Sequence, residues 1–408
     1  MLEELLNALE AELEPAVALR RRLHEDPELA HDEHRTGAAV AAELPVATQA
    51  VAGTGLIARV GGAAGGGSGA AGGAPVGVRA ELDGLPVTER TGAAFRARGE
   101  TMHACGHDVH IAALVALARA AAEIGEDLPA PLLAIFQPSE EAYPSGARMI
   151  AEESLAALAP RAVVAAHIHP ELPWGTVAID PGAVNASCDA IELVIEGEPS
   201  HGAYPHHGRD PVLALCEAVL ALHASVGRRV DPLHPATITV GVLEAGSAEN
   251  VIPARARARG ALRAHRPEDR ETLRALAGEV VSGVAAAHGC RGHVELTKGE
   301  PPLENDPAIA ARSRALLAVA GLRPAPEWRS CGSDDFSFFG AHAPLAMAFV
   351  GLDGAPGFER RPLHHPELLP PDEAVAAVAR TQAVLYAAAS ASGDAGTGGT
   401  PEGGEGKR

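Results

Sequence analysis

The sequence predicts an α/β protein in two parts: a larger domain with a mainly parallel sheet flanked by helices, interrupted by a smaller α+β domain of ferredoxin-like type. Three observations lead to this prediction. The chain has 408 residues, more than one hydrophobic core usually holds, and 47% of them are hydrophobic. Short Val- and Ile-rich runs alternate with longer Ala/Leu segments of helical period, which is typical of βαβ units. Between 187 and 299 the order changes to βαββαβ.

The larger domain is predicted to comprise residues 1–186 and 300–390. Because longer segments of helical period separate its apolar runs, we expect the strands to lie parallel in one sheet. The last helix opens on Asp372 and Glu373, and acidic side chains stabilise the positive N-terminus of a helix. Strands are predicted at 76–82, 132–137, 162–168 and 345–351, and helices at 3–24, 109–123, 145–158, 306–319 and 372–390.

The inserted domain, residues 187–299, is predicted from alternating apolar positions and two further helical segments. Arg255, Arg257 and Arg259 alternate with Ala in one of its strands, so one face of that strand should be polar and meet solvent or ligand. The predicted elements are a strand containing Ile191, Leu193 and Ile195, a helix from Asp210, strands at 236–244 and 254–264, a helix from Pro267 to His288, and a strand at 291–298.

Composition excludes several classes of partner and compartment. Acidic residues outnumber basic ones by 53 to 33, and no Lys/Arg-rich run could follow a phosphate backbone, so nucleic acid is not an expected partner. The N-terminal segment has acidic residues at once and lacks the order of a signal peptide, and Gly, Pro and charges interrupt every apolar run. Five scattered cysteines argue against a disulfide framework. We therefore expect a soluble, cytoplasmic protein with no membrane partner.

Two segments have too few large side chains to pack. The Gly-rich run at 61–74 is predicted to be a flexible hairpin tip, and residues 391–408 are predicted to be a disordered tail. The Gly-rich run lacks the Gly-Lys-Ser/Thr ending of a phosphate-binding loop and opens no helix, which argues against nucleotide binding.

The segment MHACGHDVH at 102–110 is the sharpest sign of chemistry. It crowds Cys105, His107 and His110 into a Gly-containing turn just before a predicted helix. Thiolate and imidazole ligands favour zinc-like ions, whereas an all-oxygen site would favour magnesium or calcium. A core cysteine with surface histidines is the alternative. His103 and His110 could also orient ligands or serve the structure alone.

A second segment, FQPSEE, places Glu140 and Glu141 directly after an apolar strand. Neighbouring residues in a loop point differently, so one carboxylate can bind a metal while the other acts as a general base. A solvated acidic pair is the alternative.

Further candidates occur at other strand ends. His167 ends one strand, and His364 and His365 precede the last helix, while Asp83 ends another strand and could orient a ligand or simply form a turn. Ligands of open parallel sheets bind beyond the carboxyl ends of the strands. Cys105, His107, Glu141, His167 and His364 are more ligands than one open zinc site takes, which favours two metal ions.

These segments together resemble the co-catalytic metallohydrolase family that includes aminoacylases, carboxypeptidase G and succinyl-diaminopimelate desuccinylase. Within it, the Cys-x-His form of the metal motif is similar to the amidohydrolase branch of hippurate and auxin-conjugate hydrolases. The resemblance covers nearly the whole chain. Its motifs run in order: RRLHEDPEL, RAELDGLPVTE, MHACGHDVH, FQPSEE, SHGAYPHHGRDPV, ENVIPARARARGALR, GSDDFSFF and LHHPE.

The resemblance implies the same five metal ligands, with Glu140 as the catalytic base. It makes 187–299 a lid that often forms the dimer interface, with His201 contacting the scissile carbonyl and Asn250 and Arg263 holding the substrate. Three departures occur: the segment before and after the lid histidine reads GEPSHGAYPHH, Glu81 stands where Asp is usual, and Asp334 stands where Glu is usual.

The expected function is therefore hydrolysis of the amide bond of N-acyl amino acids or related small amides, with Glu140 as general base and acid towards a water that two divalent ions activate. Zinc or manganese is expected, with nickel and cobalt open, and a homodimer or higher homo-oligomer is expected. Aromatic residues make up only 3% of the chain, which mildly favours aliphatic acyl groups. A dipeptidase or carboxypeptidase using the same centre, and a non-catalytic binding protein, are the alternatives.

Overall fold

The computed structural model describes residues 1–61 and 73–391. The predicted flexible tip at 61–74 and the predicted disordered tail at 391–408 therefore lie largely outside the described residues.

Every predicted helical segment forms a helix, and a further helix, His34–Glu43, lies outside the predicted segments. In chain order they are α1 (Leu2–Glu25), α2 (His34–Glu43), α3 (His107–Ile124), α4 (Gly146–Ile150), α5 (Ala156–Leu158), α6 (Pro211–Arg229), α7 (Pro267–Ala287), α8 (Pro307–Leu316) and α9 (Glu373–Ser390). Helices α4 and α5 are joined by a π turn over Ala151–Leu155, so the helix predicted at 145–158 is present with a local widening.

The strands comprise the predicted ones and several short additions. They are β1 (Thr48–Val51), β2 (Gly55–Val60), β3 (Val76–Glu81), β4 (Leu132–Gln137), β5 (Ala162–Pro173), β6 (Thr176–Ala178), β7 (Gly182–Asn185), β8 (Ser187–Glu196), β9 (Ser200–His201), β10 (Ala236–Ala245), β11 (Val251–Ile252), β12 (Arg255–Ala264), β13 (Arg291–Thr297), β14 (Leu303–Asn305), β15 (Arg323–Pro324) and β16 (Leu345–Asp353).

The chain divides into two compact units. The first contains Met1–Ile179, Asp306–Pro326 and the chain from His342 onward, and the second contains Asp180–Asn305 and Glu327–Ala341. The boundaries predicted from the sequence, 187 and 299, fall inside the second unit. This unit also takes in a later segment, Glu327–Ala341, whose composition does not distinguish it from its neighbours.

An eight-stranded sheet forms the centre of the first unit, in the order β1-β2-β4-β3-β5-β16-β6-β15. Its central strands β4, β3, β5 and β16 are parallel, whereas β1 and β2 at one edge are antiparallel. Every residue of β3 and β4 is buried, and their sequences, VGVRAE and LLAIFQ, are apolar except for Arg79, Glu81 and Gln137. Helices α1, α3 and α9 pack against one another, and α3 and α9 also pack against the sheet. The predicted parallel sheet flanked by helices is confirmed.

The second unit contains a four-stranded antiparallel sheet in the order β10-β12-β8-β13. With α6 and α7 packed on it, the elements follow the predicted order βαββαβ, and the predicted ferredoxin-like domain is confirmed. In β12 the side chains of Ala256 and Ala258 are fully buried, while Arg255, Arg257 and Arg259 are exposed. One face of this strand is therefore polar, as the alternation predicts.

Helix α6 is the one helix among the described residues that is long and apolar enough to cross a membrane by length and composition. Core helices of soluble proteins meet the same criterion. In this structure α6 buries Ala214, Leu215, Ala218 and Leu222 in the core of the second unit.

Candidate metal centre

The centre lies at the carboxyl ends of adjacent parallel strands in the first unit. Asp83 follows β3, the Glu140–Glu141 pair follows β4, and His167 lies within β5. His107 begins α3, after Gly106 at φ +83°. A Cβ at Gly106 would come within 2.3 Å of Ile168, and the backbone has a left-handed conformation, so both observations require glycine there. The fold thus brings residues far apart in sequence to one sheet edge.

All five predicted metal ligands meet at this edge. The ligand atoms of Cys105, His107 and His167 lie within 4.8 Å of one another, and those of Cys105, Glu141 and His364 form a second group within the same limit. The Cys105 Sγ is 3.5 Å from the His167 Nε2, and the His364 Nε2 is 3.1 Å from a Glu141 oxygen. The predicted base Glu140 has a carboxylate oxygen 3.9 Å from the His107 Nε2.

His107 and His167 both turn their Nε2 atoms towards the ligand group that they form with Cys105. The His107 Nδ1 donates to the carbonyl oxygen of Asp83 over 2.8 Å, and the His167 Nδ1 donates to the carbonyl oxygen of Ile168 over 2.6 Å. Because a carbonyl oxygen can only accept, each Nδ1 carries a hydrogen and each Nε2 is left for an ion. The buried His107 Nε2 has no hydrogen-bond partner among the described residues.

The electrostatics of the centre favour cations. Burial raises the pKa of the Cys105 thiol well above its usual value, and the negative charges of Glu141 and Glu140 raise it further. Burial lowers the pKa of His107, but the charges of Glu81 and Asp83 outweigh it and raise that pKa to about 10. The negative charge of the surrounding carboxylates thus keeps protons on Cys105 and His107. Divalent ions bound at the same place would neutralise these carboxylates instead. With its thiol, imidazole and carboxylate donors, the site fits divalent metal ions.

Asp83 ties two parts of the centre together. One of its carboxylate oxygens accepts a hydrogen bond from the backbone N–H of Glu141 over 2.9 Å, and the other lies 3.5 Å from the His107 Nδ1. Burial raises the pKa of Asp83, yet its contacts with His107 outweigh this and keep that pKa below its usual value. Its position agrees with the predicted orienting role.

The turn that carries Glu140 is held by residues that the sequence interpretation missed. Ser139 has φ +49°, a strained conformation for a residue with a Cβ. Its backbone N–H donates over 2.7 Å to the buried carboxylate of Glu33, which also accepts from the Thr54 hydroxyl over 2.6 Å. The His31 Nδ1 lies 2.9 Å from the Ser139 Oγ. No sequence motif connects Glu33 to this turn, since 106 residues separate it from Ser139.

His364 lies on a second strained turn. Its φ is +66°, and its backbone N–H donates to the carbonyl oxygen of Ala104 over 2.8 Å, next to Cys105. The side chain is half exposed, unlike those of Cys105 and His107. Strained turns of this kind persist where surrounding contacts enforce them, often at functional sites.

Two of the predicted substrate residues are neighbours in the second unit. His201 in β9 pairs with Val251 in β11, and the backbone N–H of Gly202 donates to the carbonyl oxygen of Asn250 over 2.7 Å. The His201 Nδ1 accepts from the backbone N–H of Ala203 over 3.0 Å. Nδ1 is therefore unprotonated, so a neutral His201 presents its Nε2–H as a donor.

Arg263 lies on a different strand of the second unit. In β12 it is opposite Cys188, and its guanidinium donates to the carbonyl oxygen of Cys331 over 3.0 Å. Asp334, in the same late segment, accepts from the backbone N–H of Phe336 over 2.9 Å. The structure therefore places Arg263 beside the GSDDF motif, a proximity that the sequence does not reveal.

Comparison with known proteins agrees with this geometry. Residues 77–387 match the model of peptidase family M20/M25/M40. The chain is 33% identical over 373 residues to an N-acetyl-L-cysteine deacetylase of Bacillus subtilis, covering 88% of this chain and 84% of that protein. It is 32% identical to an N-acetyldiaminopimelate deacetylase of Geobacillus sp., covering 89% and 95%. The chain belongs to peptidase family M20/M25/M40.

A solved structure of the same family supports a two-metal centre. It is the Bacillus subtilis YXEP protein, a dinuclear metal-binding peptidase from the M20 family. The TM-score is 0.80 at 27% identity, and the alignment covers 92% of this chain and 98% of that one. The protein is thus a metal-dependent M20 hydrolase of amide bonds, and the expected family and enzyme class are confirmed.

Two further histidines of the M20 metal motif have different surroundings. His110 is buried and its Nδ1 is 2.9 Å from a Glu81 oxygen. His103 is also buried, but neither ring nitrogen has a hydrogen-bond partner among the described residues, and burial lowers its pKa to about 4. The sequence was compatible with either an orienting or a structural role for both histidines. In the structure, His110 contacts a carboxylate and His103 makes no such hydrogen bond within the described part of the chain.

Proposed function

We propose that this M20 hydrolase cleaves the amide bond of N-acyl amino acids, releasing the carboxylic acid and the free amino acid. One observation carries the proposal. Glu140 stands beside the ligand group of Cys105, His107 and His167, while its neighbour Glu141 belongs to a second group with Cys105 and His364. Two groups of ligands with an adjacent free carboxylate would suit amide hydrolysis by a two-metal centre with a general base.

Similar proteins support the choice of substrate. Both deacetylases named above act, by their names, on N-acetylated amino acids, and each aligns with more than four fifths of this chain. We therefore place the substrate among N-acyl amino acids, with small aliphatic acyl groups before aryl groups.

The proposed chemistry assigns one carboxylate to proton transfer. Two divalent ions would polarise the scissile carbonyl and lower the pKa of the attacking water. Glu140 takes the proton of that water and returns it to the nitrogen of the leaving amine. Cys105, His107, Glu141, His167 and His364 hold the ions, and Cys105 belongs to both ligand groups. Thiolate and imidazole donors favour zinc, with manganese, nickel or cobalt as substitutes.

Substrate recognition is assigned to the second unit. The Nε2–H of His201 is suited to donate to the oxygen of the scissile carbonyl as negative charge develops on it. A guanidinium such as that of Arg263 can grip a carboxylate through two parallel hydrogen bonds. Asn250, which is adjacent to His201 in the fold, would bind the substrate near its scissile carbonyl.

A homodimer is part of the proposal. Leu213 and Leu220 on α6 are 60% and 72% exposed, and residues seven apart lie on the same face of a helix. Exposed leucines repeated along one helix face are suited to an interface between copies of the chain.

The proposed compartment is the cytoplasm. All five cysteines are unpaired, and Cys216 and Cys331 are exposed, which suits a reducing environment. Fractionation of the producing cell should recover the protein with the cytoplasmic markers, and recovery with extracellular or envelope material would contradict the assignment.

Hydrolysis of a substrate panel tests the function. N-acetyl, N-benzoyl and N-lauroyl amino acids, including N-acetylcysteine and N-acetyldiaminopimelate, are compared with dipeptides before and after removal of metal by a chelator. Chelator-sensitive release of amino acid from the N-acyl compounds is expected, with recovery on adding zinc or manganese. Faster cleavage of dipeptides would make the protein a dipeptidase, and cleavage that survives complete metal removal would contradict the proposed centre.

A further inference from the structure

A chain of buried polar contacts reaches His167 from the far side of the centre. The Glu81 carboxylate bonds Arg79 through one oxygen and lies 2.9 Å from the His110 Nδ1 through the other. The His110 Nε2 accepts from the backbone N–H of Ile168 over 3.0 Å. The carbonyl oxygen of that same Ile168 accepts from the His167 Nδ1 over 2.6 Å.

Each contact fixes the proton position of the next. An N–H can only donate, so the His110 Nε2 that receives the Ile168 N–H carries no hydrogen. The hydrogen of the neutral ring must then lie on Nδ1, where it is donated to Glu81. Ile168, whose N–H is held by His110, accepts from the His167 Nδ1 through its own carbonyl oxygen, which leaves the His167 Nε2 facing Cys105 at 3.5 Å.

All members of this chain are buried. Glu81 and Arg79 are 1% and 0% exposed, and His110 is 0% exposed, so water does not compete for these contacts. Arg79 also donates over 2.8 Å to Gln137 at the end of β4. Since β4, β3 and β5 are adjacent strands, these contacts connect the carboxyl-terminal ends of β3 and β4 with Ile168 in β5.

We propose that Glu81 and His110 are positioning residues that hold His167 at the angle needed to bind an ion. The inference rests on the proposed function of His167 as a metal ligand. Partners that orient a metal-binding histidine commonly change metal affinity or activity by about 10–100-fold when they are removed.

A direct role for His110 is the competing explanation. The ligand atoms of Glu81, His110 and His167 also lie within 4.8 Å of one another and could form a metal group of their own. However, both ring nitrogens of His110 are already engaged, one with Glu81 and one with the backbone of Ile168. Ligation by His110 would break one of these buried bonds, which favours positioning.

Two variants break the chain at different links. Glu81→Gln removes the charge that accepts from His110, whereas Glu81→Asp keeps a carboxylate. His110→Asn can still donate to Glu81 but cannot reach the Ile168 N–H, and it leaves the Arg79–Glu81 pair in place. Glu28→Gln is the matched control, because it makes the same change at a buried carboxylate that bonds Thr36 instead.

The measurement is cobalt binding by the full chain. Each metal-free protein is titrated with Co²⁺ while its visible absorption is recorded, and ion affinities are obtained by competition with a chromophoric chelator. Circular dichroism reports whether each variant is folded. We expect two ions in the wild type, and in Glu81→Gln and His110→Asn one ion bound about 10–100-fold more weakly with an altered cobalt spectrum. Glu81→Asp should bind more tightly than Glu81→Gln, and Glu28→Gln should match the wild type.

The other outcomes are distinct. Wild-type spectrum and affinities in both Glu81→Gln and His110→Asn would overturn the positioning role while leaving the proposed centre intact. Three ions in the wild type and two in His110→Asn would make His110 a ligand and also overturn it. A wild type that binds no cobalt would contradict the centre itself. If Glu81→Gln does not fold, His110→Asn decides.

Discussion

The carboxylate of Asp83 accepts a hydrogen bond from the backbone N–H of Glu141 over 2.9 Å. Through its main-chain carbonyl, 2.8 Å from the His107 Nδ1, the same residue also fixes His107. One aspartate at the end of β3 thus sets the relative positions of two candidate ligands that come from different segments.

Replacing Asp83 should therefore lower the affinity of the protein for metal ions. In Asp83→Ala the Glu141 N–H loses its acceptor and His107 loses a nearby negative charge, so we expect about 10–100-fold weaker affinity for at least one ion. Chelator competition measures this affinity. An Asp83→Ala protein with wild-type metal affinity would contradict the orienting role.

The two adjacent carboxylates should respond differently to the same substitution. Glu140→Gln removes the proposed base but no proposed ligand, so kcat should fall by about 10²–10⁴-fold with both ions still bound. Glu141→Gln should instead lose bound metal. Metal content by elemental analysis and turnover of an N-acetyl amino acid separate the two effects. Glu153→Gln, at an exposed position further along the chain, is the control. Near-normal kcat in Glu140→Gln would show that this carboxylate is not the base.

Sequence patterns predicted the elements that depend on local periodicity. The fully buried strands β3 and β4 are mostly apolar, and placing their ends was enough to predict where Asp83, Glu140 and Glu141 would gather. The hydrogen bonds that hold these residues in place could not be predicted from local sequence patterns. Glu33 reaches Ser139 across 106 positions, and Glu81 reaches His110 across 29. Periodicity reports which face is buried and carries no information on which buried polar groups pair.

The exposed leucines of α6 lead to a prediction about assembly. Leu220→Glu places a charge on the face that the proposed dimer would bury, so the protein should shift from dimer to monomer in light scattering after size-exclusion chromatography. Leu233→Glu is the control, because Leu233 is 88% exposed and lies outside helix α6. If the wild type is itself a monomer, or if Leu220→Glu remains a dimer, this interface is wrong.

A buried ion-pair cluster stabilises the second unit. The fully buried Asp189 accepts from Arg270 over 2.6 Å and from Arg274 over 2.8 Å, and also from the backbone N–H of Gly299 over 3.1 Å. Asp189→Asn would remove the buried charge that both guanidinium groups contact and leave Arg274 paired with Glu271 alone, which should destabilise this unit by about 3 kcal/mol or more. Hydrogen exchange of its amides measures the loss.

The matched control for this cluster lies on the same strand. Glu192→Gln alters a pair with Arg257 in which the two side chains are 25% and 45% exposed, so its effect should stay below about 1 kcal/mol. Burial raises the pKa of Asp189, but its hydrogen bonds with Arg270 and Arg274 lower it to about 2. The stabilisation is therefore present above about pH 4 and lost as the pH falls towards 2. Equal exchange in Asp189→Asn and Glu192→Gln would contradict the role of the cluster.

A buried histidine should make the first unit less stable in alkali. His24 lies 2.9 Å from Asp108 and 3.1 Å from Glu89, and Asp108 also accepts from Arg20 over 2.7 Å. Burial lowers the pKa of His24, but the charge of Asp108 and the hydrogen bonds with both carboxylates outweigh it and raise that pKa to about 9. Because the folded pKa exceeds that of the unfolded chain, the contribution is complete below about pH 6.5 and lost as the pH rises through 9.

Comparison with His24→Gln isolates this contribution. The difference in pKa corresponds to at most about 3 kcal/mol, so the urea midpoint of the wild type should fall between about pH 6 and about pH 10 more steeply than that of the variant. Both proteins are kept metal-free with chelator, since metal binding would add its own pH dependence. Other titrating groups such as His107 are common to the two proteins and cancel in the comparison. Parallel pH profiles would mean that His24 carries no charge in the folded protein.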